Sequence, residues 1–137
     1  MSITDETGLF PGDMLPDMFE SSTNAGDAIW LTCEAQGFAI GFCYVEPEKL
    51  AEGAWNMLAI AVSPANQTTG AGKALSQHLE TTLKKNGARI LLADTSGTAE
   101  FSGTRAFYKS IGYVEEARIR DFWADGDDKV TFIKALR

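Results

Sequence analysis

Residues 58–75 read LAIAVSPANQTTGAGKAL, and the interpretation of the whole chain starts from this stretch. Its first five residues are apolar, which is typical of a strand covered on both faces. Pro64 has no N–H to give to a β-ladder, so it ends that strand. Leu75 and the apolar residues that follow it recur at helical spacing. The stretch therefore predicts a buried strand, a polar loop and the start of an amphipathic helix.

The junction between this loop and the helix predicts an anion site. Gly70 and Gly72 have no Cβ, so their backbone can approach a ligand closely. The first N–H groups of a helix have no partner within it and lie at the positive end of its dipole, where phosphate binds. Two nucleotide-binding patterns do not fit, because a P-loop needs Gly at Gln67 and Ser or Thr at Ala74, and a dinucleotide loop needs Gly at Leu75. An α/β protein that binds a nucleotide phosphate nevertheless remains an alternative function for the chain, although neither pattern is complete.

The composition limits the class of protein. The 137 residues predict one domain, residues 1–137, with its own core. A net charge of -7 argues against nucleic-acid and anionic-membrane partners, which require clustered Lys and Arg. The chain has no apolar run long enough to span a membrane and no signal-peptide pattern at its start, so we expect it to be cytoplasmic. With one histidine, His78, it offers no zinc-binding pattern, and Cys33 and Cys43 are expected to be reduced core residues.

The order of the elements predicts an α/β fold with a mixed central β-sheet flanked by helices on both faces. The strand at 55–62, the helix at 71–86 and the strand at 89–95 form a βαβ unit, so these two strands run parallel. A sheet with such a central pair can open where the two strands diverge. The other predicted elements are a short helix at 12–20, a loop at 21–27, strands at 28–34 and 38–45, a helix at 104–111, and strands at 113–123 and 129–136.

A second motif completes a family resemblance. Residues 104–113, TRAFYKSIGY, predict a helix that carries Phe-Tyr and closes with Gly-Tyr. Together with Gln67-x-x-Gly70-x-Gly72 it resembles the two acyl-CoA segments of the GCN5-related N-acetyltransferases, the GNAT family, in family order over about residues 28 to 137. Three features depart from the family pattern. The first strand looks missing or reduced, Phe101 stands where Asn is frequent, and Leu58 and Ala59 stand where many members carry an acid.

The resemblance implies an N-acetyltransferase that moves an acetyl group from acetyl-CoA to a primary amine by direct attack, without a metal. Tyr108 is implied as the proton donor to the leaving thiolate. Because Phe107 and Ile111 are assigned to the buried stripe of that helix, we expect Tyr108 at its rim. The implied cofactor-binding residues are Ile60, Ala61, Val62, Gln67, Thr68, Thr69, Gly70, Ala71, Gly72 and Lys73.

Several assignments stay open at this point. Glu46 is the preferred general base, with Asp94 and Asp121 as further candidates, although all three acids also suit structural roles. The acceptor is either a small molecule or a protein amine, and the chain is either a monomer or a homodimer in which a partner chain fills an incomplete substrate pocket. A non-catalytic acyl-CoA-binding or sensor module on the same fold is the alternative function. His78, beside the apolar stripe of its helix, is expected to be structural.

Overall fold

The computed structural model describes residues 18–23, 28–63 and 70–137. These ranges form seven strands, two α-helices and a short 3-10 helix at Ala99–Phe101. The strands and α-helices are β1 Met18–Thr23, β2 Ile29–Ala35, β3 Phe38–Pro47, β4 Ala54–Val62, α1 Ala71–Lys85, β5 Ile90–Ser96, α2 Ser102–Ser110, β6 Val114–Ala124 and β7 Asp127–Ala135. Within them, neither helix is long and apolar enough to cross a membrane.

All seven strands join one mixed sheet in the order β1-β2-β3-β4-β5-β7-β6. Its neighbouring strands are antiparallel except β4 and β5, which run parallel with α1 as their crossover. The tight turn between β2 and β3 is formed by Gln36 and Gly37, with φ values of 52° and 84°. Positive φ at both residues suits a two-residue hairpin turn. The α/β fold with a mixed central sheet and flanking helices that the sequence predicts is confirmed. The prediction placed helices on both faces, and within the described ranges both α-helices lie on one face.

The N-terminal helix and loop predictions are wrong where the structure tests them. Residues 18–23 form β1, which pairs with Ile29–Glu34 of β2. Residues 12–17 and 24–27, which belonged to the same predictions, lie outside the described part of the chain. Pairing with β2 gives this segment ladder hydrogen bonds that outweigh a short helical pattern. The first strand is thus a six-residue strand at the sheet edge.

Both described α-helices pack on the same face of the sheet, which we call the helix face. Tyr108 of α2 contacts Phe132 of β7, and Lys134 of β7 binds Glu80 of α1. Leu75, Leu79 and Leu83 of α1 are buried, as their spacing predicts. Burial of one such leucine stabilises the fold by about 1.5–3 kcal/mol. The opposite face, which we call the open face, carries part-exposed side chains such as Trp30 and Tyr44.

A polar network fixes α1 against the end of the sheet. The Lys134 ammonium donates to Glu80 at 2.8 Å and to the Ile111 carbonyl at 2.8 Å. The Tyr113 hydroxyl donates to the other Glu80 oxygen at 2.9 Å. Burial and the Glu80 charge raise the pKa of Tyr113, so its hydroxyl stays protonated and keeps donating. Helix α1, the end of α2 and β7 are therefore tied together at one point.

The two cysteines provide a test of the core. Burial raises the pKa of Cys33 to about 11 and that of Cys43 to about 12. We expect neither thiol to react with an aromatic disulfide reagent in the native protein at about pH 8, because reaction requires an accessible thiolate. In denaturant both thiols should react. Rapid modification of either thiol in the native state would contradict this packing.

Alkaline pH should destabilise the fold through the same two thiols. Because their folded pKa values lie above the ordinary value of 9.0, their stabilisation is complete below that pH and is lost as pH rises through 11 to 12. Denaturant unfolding of the native chain and of a Cys33→Ala/Cys43→Ala variant between about pH 8 and 11 measures this contribution. The variant should lose less stability over that interval. Equal losses would show that the thiols do not carry the effect.

Candidate active site

The parallel strands at the centre of the sheet separate before they end. Pairing between β4 and β5 covers Ala54–Met57 and Ile90–Ala93 and then stops, although β4 continues to Val62 and β5 to Ser96. Tyr44 lies opposite Ala59 while Val45 lies opposite Met57, so Leu58 is an extra, bulged residue. A bulge bends a strand and increases its twist. We call the gap between residues 58–62 and residues 94–96 the split.

Helix α1 follows β4 in the chain and begins directly after Gly70. Gly70 has a left-handed conformation, φ 93° and ψ 3°, that glycine adopts without strain. The Ala74 N–H donates to the Gly70 carbonyl at 2.9 Å, so the N–H groups of residues 71–73 precede the first intrahelical bond. No acidic side chain lies in this first turn, and Lys73 is exposed there. These properties favour an anion. Gln67, Thr68 and Thr69 lie outside the described residues.

Gly72 has a packing role that the sequence analysis did not predict. A Cβ at this position would lie 3.1 Å from two ring carbons of Phe107 on α2 and 3.6 Å from a methyl group of Val62. The missing side chain thus allows α1 and α2 to approach each other closely at the end of β4. The space beside Gly72 is therefore occupied by the Phe107 ring of the same chain.

Tyr108 is buried, with 3 % of its surface exposed, whereas Phe107 and Ile111 are only partly buried. The expectation that Tyr108 lies at the rim is therefore wrong. Its ring lies 5.4 Å from that of Phe132 and 5.5 Å from that of Tyr113, centroid to centroid. The pKa of Tyr108 is raised, first by burial and then by the charges of Cys43 and Asp94. Asp94 is the first β5 residue beyond the last pair with β4, so the hydroxyl is coupled to a group at the split.

Glu46 lies on the open face beside β4. The Tyr44 hydroxyl donates to its carboxylate at 2.8 Å, and its cross-strand partner is Asn56. Tyr44 itself lies opposite Ala59, which is at the beginning of the split. Glu46 is thus an anchored, part-exposed carboxylate close to the split.

Asp94 and Asp121 are held by structural contacts. Asp94 accepts from Thr131 at 2.7 Å and from Asn56 at 3.3 Å, and it lies 3.7 Å from the Lys129 ammonium. Asp121 has a φ of 54° in a β6 bulge, where its carboxylate accepts from the Gly126 N–H. Among the described residues the carboxylates of Glu46 and Asp121 each accept one hydrogen bond, whereas Asp94 has three polar contacts. In the same ranges, no group of three or more His, Cys, Asp and Glu side chains is arranged to hold a metal ion.

The sequence analysis missed three residues that shape this region. Asn56, in the middle of an apolar strand, bridges towards Asp94, and its polarity there was a usable signal. Arg105 donates to the carbonyls of Ser96 and Thr98 at 2.8 and 2.7 Å, which fixes the loop after β5. Trp30 lies on the open face beside Tyr44. His78, expected to be structural, stacks on Phe19 of β1 at 4.3 Å between ring centroids.

A mixed sheet with a split parallel pair, next to a helix N-terminus that no described side chain caps, is typical of an acyl-CoA-type transferase fold. A family model described as the acetyltransferase (GNAT) domain matches residues 26–115, well over half of the chain. The chain therefore belongs to the GNAT family and is an acetyltransferase of that class. No curated protein matches the chain.

Solved structures agree with this fold. A GNAT-family protein from Desulfovibrio desulfuricans is 29% identical, with a TM-score of 0.77 over 80% of this chain and 69% of its own. The ribosomal-protein-S18-alanine N-acetyltransferase from Escherichia coli is 20% identical, with a TM-score of 0.69 over 83% and 72%. An aminoglycoside 6'-N-acetyltransferase complexed with coenzyme A is 16% identical, with a TM-score of 0.72 over 83% and 75%.

The contact between Gly72 and Phe107 yields a prediction. Gly72→Ala should destabilise the protein by roughly 1 kcal/mol through overpacking, although alanine is the better helix former. In a Phe107→Ala background the same change should be neutral or stabilising, because the ring is gone. Denaturant unfolding of the four proteins gives the coupling energy. An identical effect in both backgrounds would show that the two residues do not share this space.

Proposed function

We propose that residues 1–137 act as one domain that transfers the acetyl group of acetyl-CoA to a primary amine by direct attack. The observation that carries this proposal is the split, which opens β4 near the N-terminus of α1, where no described side chain forms a cap. Acetyl-CoA needs an extended cleft for the chain that carries its thioester and an anion site for its pyrophosphate. The split and the helix terminus supply these two features next to each other.

The pyrophosphate is assigned to the N–H groups of residues 70–73, with the Lys73 ammonium nearby. Gln67, Thr68 and Thr69 complete this loop by family resemblance. The backbone of Ile60, Ala61 and Val62, beyond the last pair with β5, is assigned to the arm of the thioester and to the oxyanion that forms at its carbonyl carbon. Preorganised N–H groups stabilise such an oxyanion without reorganisation during the reaction.

Tyr108 is the assigned proton donor. Its raised pKa keeps the phenol protonated throughout the neutral range, so the hydroxyl can donate to the departing thiolate. Its ring is wedged between Phe132 and Tyr113, which limits the positions that the hydroxyl can adopt. A fixed position favours proton transfer, since donor and acceptor must approach within hydrogen-bond distance.

Glu46 is the assigned base. An amine at neutral pH is protonated and must lose a proton before it attacks. Glu46 is held by the Tyr44 hydroxyl near the beginning of the split, whereas Asp94 is already engaged by Thr131, Asn56 and Lys129. Glu46 removes the proton directly or through a water molecule.

One observation favours a second candidate, an acyl-CoA-binding module without catalysis. Leu58 and Ala59, at the start of the split, carry no acid, and the nearest anchored carboxylate is on the neighbouring strand. Such a module would bind acetyl-CoA but release no CoA with any amine. Thiol detection with a panel of amines separates the two functions.

The anion site can be tested by charge reversal at the two ends of α1. Lys73→Glu should weaken CoA binding about tenfold or more, while stabilising the free protein by roughly 0.3–1 kcal/mol through the helix dipole. Lys85→Glu makes the same change in net charge at the opposite end and should leave CoA affinity unchanged. Calorimetric titration with CoA and thermal unfolding without it measure both effects. Equal loss of affinity in the two variants would contradict binding at the helix N-terminus.

The proton donor can be tested with two tyrosine variants. Tyr108→Phe removes only the hydroxyl, so CoA binding should persist while turnover falls by roughly 10²-fold. Tyr113→Phe is the matched control from the same aromatic cluster. It should lose stability, because Glu80 loses a donor, and should keep its turnover. CoA release and CoA titration on the same samples give the result, and unchanged turnover in Tyr108→Phe would remove this residue from the mechanism.

A further inference from the structure

An aromatic cluster lies on the open face directly beside the split. The Trp30 ring lies 4.6 Å from that of Tyr44 and 5.6 Å from that of Phe42, centroid to centroid. Tyr44 and Phe42 are the cross-strand partners of Ala59 and Ala61, the small residues of β4 along the split. Trp30 is 41% exposed. The register therefore places an aromatic wall of Trp30, Phe42 and Tyr44 beside the small side chain of Ala59, whereas Ala61 is buried.

A second pair of aromatic residues lies on the other side of the split. Phe122 and Trp123 of β6 are each 49% exposed and meet edge to face at 4.8 Å. The Trp123 indole N–H donates to the Thr95 carbonyl at 3.2 Å, which fixes the indole at the end of β5. Exposed aromatic surface thus borders the split on both sides.

The polar groups nearest the aromatic wall suit a positive charge. Asn56 donates from its amide nitrogen to Asp94 at 3.3 Å and lies 3.5 Å from Glu48. Because only an NH₂ group can donate to carboxylates, these contacts orient the amide. Its buried oxygen then receives no hydrogen bond from any described residue. The charge of Asp94 is offset by Lys129 at 3.7 Å, which leaves Glu46, held by Tyr44, and the exposed Glu48 as the carboxylates beside Asn56.

We infer that the acceptor is a primary amine carried on a flat aromatic body. The inference rests on the proposed function and names the substrate class of the same site. The aromatic ring packs against Trp30 and Tyr44, and the amine points along β3 towards Glu46 and its cross-strand partner Asn56. Tyr44 and Glu46 are two residues apart on β3, roughly 6.6 Å, so a short alkyl link between ring and amine bridges this distance.

The inference is tested by substrate preference. With acetyl-CoA present, CoA release should be at least about tenfold faster, as kcat/KM, with 2-phenylethylamine than with spermidine or Nα-acetyl-lysine amide, the scale that aromatic contacts provide. Faster release with either of the other two amines would overturn the inference and leave the proposed acetyltransfer intact. Acetyl-CoA binding without release or amine binding for any of the three would overturn both.

Two variants of Trp30 test whether this residue causes the preference. Trp30→Ala should raise the KM for 2-phenylethylamine about tenfold with little change in kcat. Trp30→Phe keeps an aromatic ring, so its KM should lie close to that of the native protein. Phe38→Ala is the control, because Phe38 is 46% exposed but lies about 20 Å from Tyr44 along β3. The stabilisation by CoA should be the same in all these proteins, which shows that each is folded. An unchanged KM in a folded Trp30→Ala would overturn the assignment of this wall.

Discussion

The structure depends on the point where β4 leaves β5. Each ladder hydrogen bond forgone is worth about 0.5–1.5 kcal/mol net, so the separation must be held by other contacts. Strand β4 stays paired with β3 as far as Val62, opposite Gly41, and β5 stays paired with β7 as far as Ser96, opposite Lys129. Each strand at the split is therefore held by its outer neighbour. The extra residue Leu58 shifts the register between β3 and β4 directly after Met57, which is the last β4 residue that pairs with β5.

The two helices complete this arrangement from one side. Gly72 lets Phe107 approach the end of β4, and the next residue along α2, Tyr108, extends into the core beside Phe132. The first turn of α1, the candidate anion site, and the candidate proton donor are thus positioned by one helix contact. The open face of the sheet differs from the helix face, because its aromatic residues and anchored carboxylates are partly exposed and lie on strands.

Much of the fold could be predicted from residue patterns. The apolar run before Pro64, the stripe of Leu75, Leu79 and Leu83, and the glycines at helix ends gave the βαβ unit and its neighbours within a few residues. Residues 18–23 were assigned wrongly, because a short apolar-polar pattern serves as helix or strand and pairing with β2 decides between them.

The candidate site was less predictable. Loop glycines and Tyr108 could be identified from spacing, but the environment of a side chain could not. Periodicity placed Phe107 inside and Tyr108 at the rim, and the structure reverses this, since α2 is short and its burial is set by Gly72 and Phe132. The bulge at Leu58 leaves no sequence signal, and it changes which side chains of β4 face the aromatic wall. The candidate roles of Asn56 and Trp30 became apparent only from their cross-strand neighbours.

The close approach of Phe107 to Gly72 makes these two positions share one volume. A larger residue at position 72 of α1 requires a smaller one at position 107 of α2, so we expect these two positions to change together during evolution. Because Tyr108 is the next residue after Phe107, a compensating change on α2 falls directly beside the buried phenol. The packing thereby links the first turn of α1 to the residue that we propose as the proton donor.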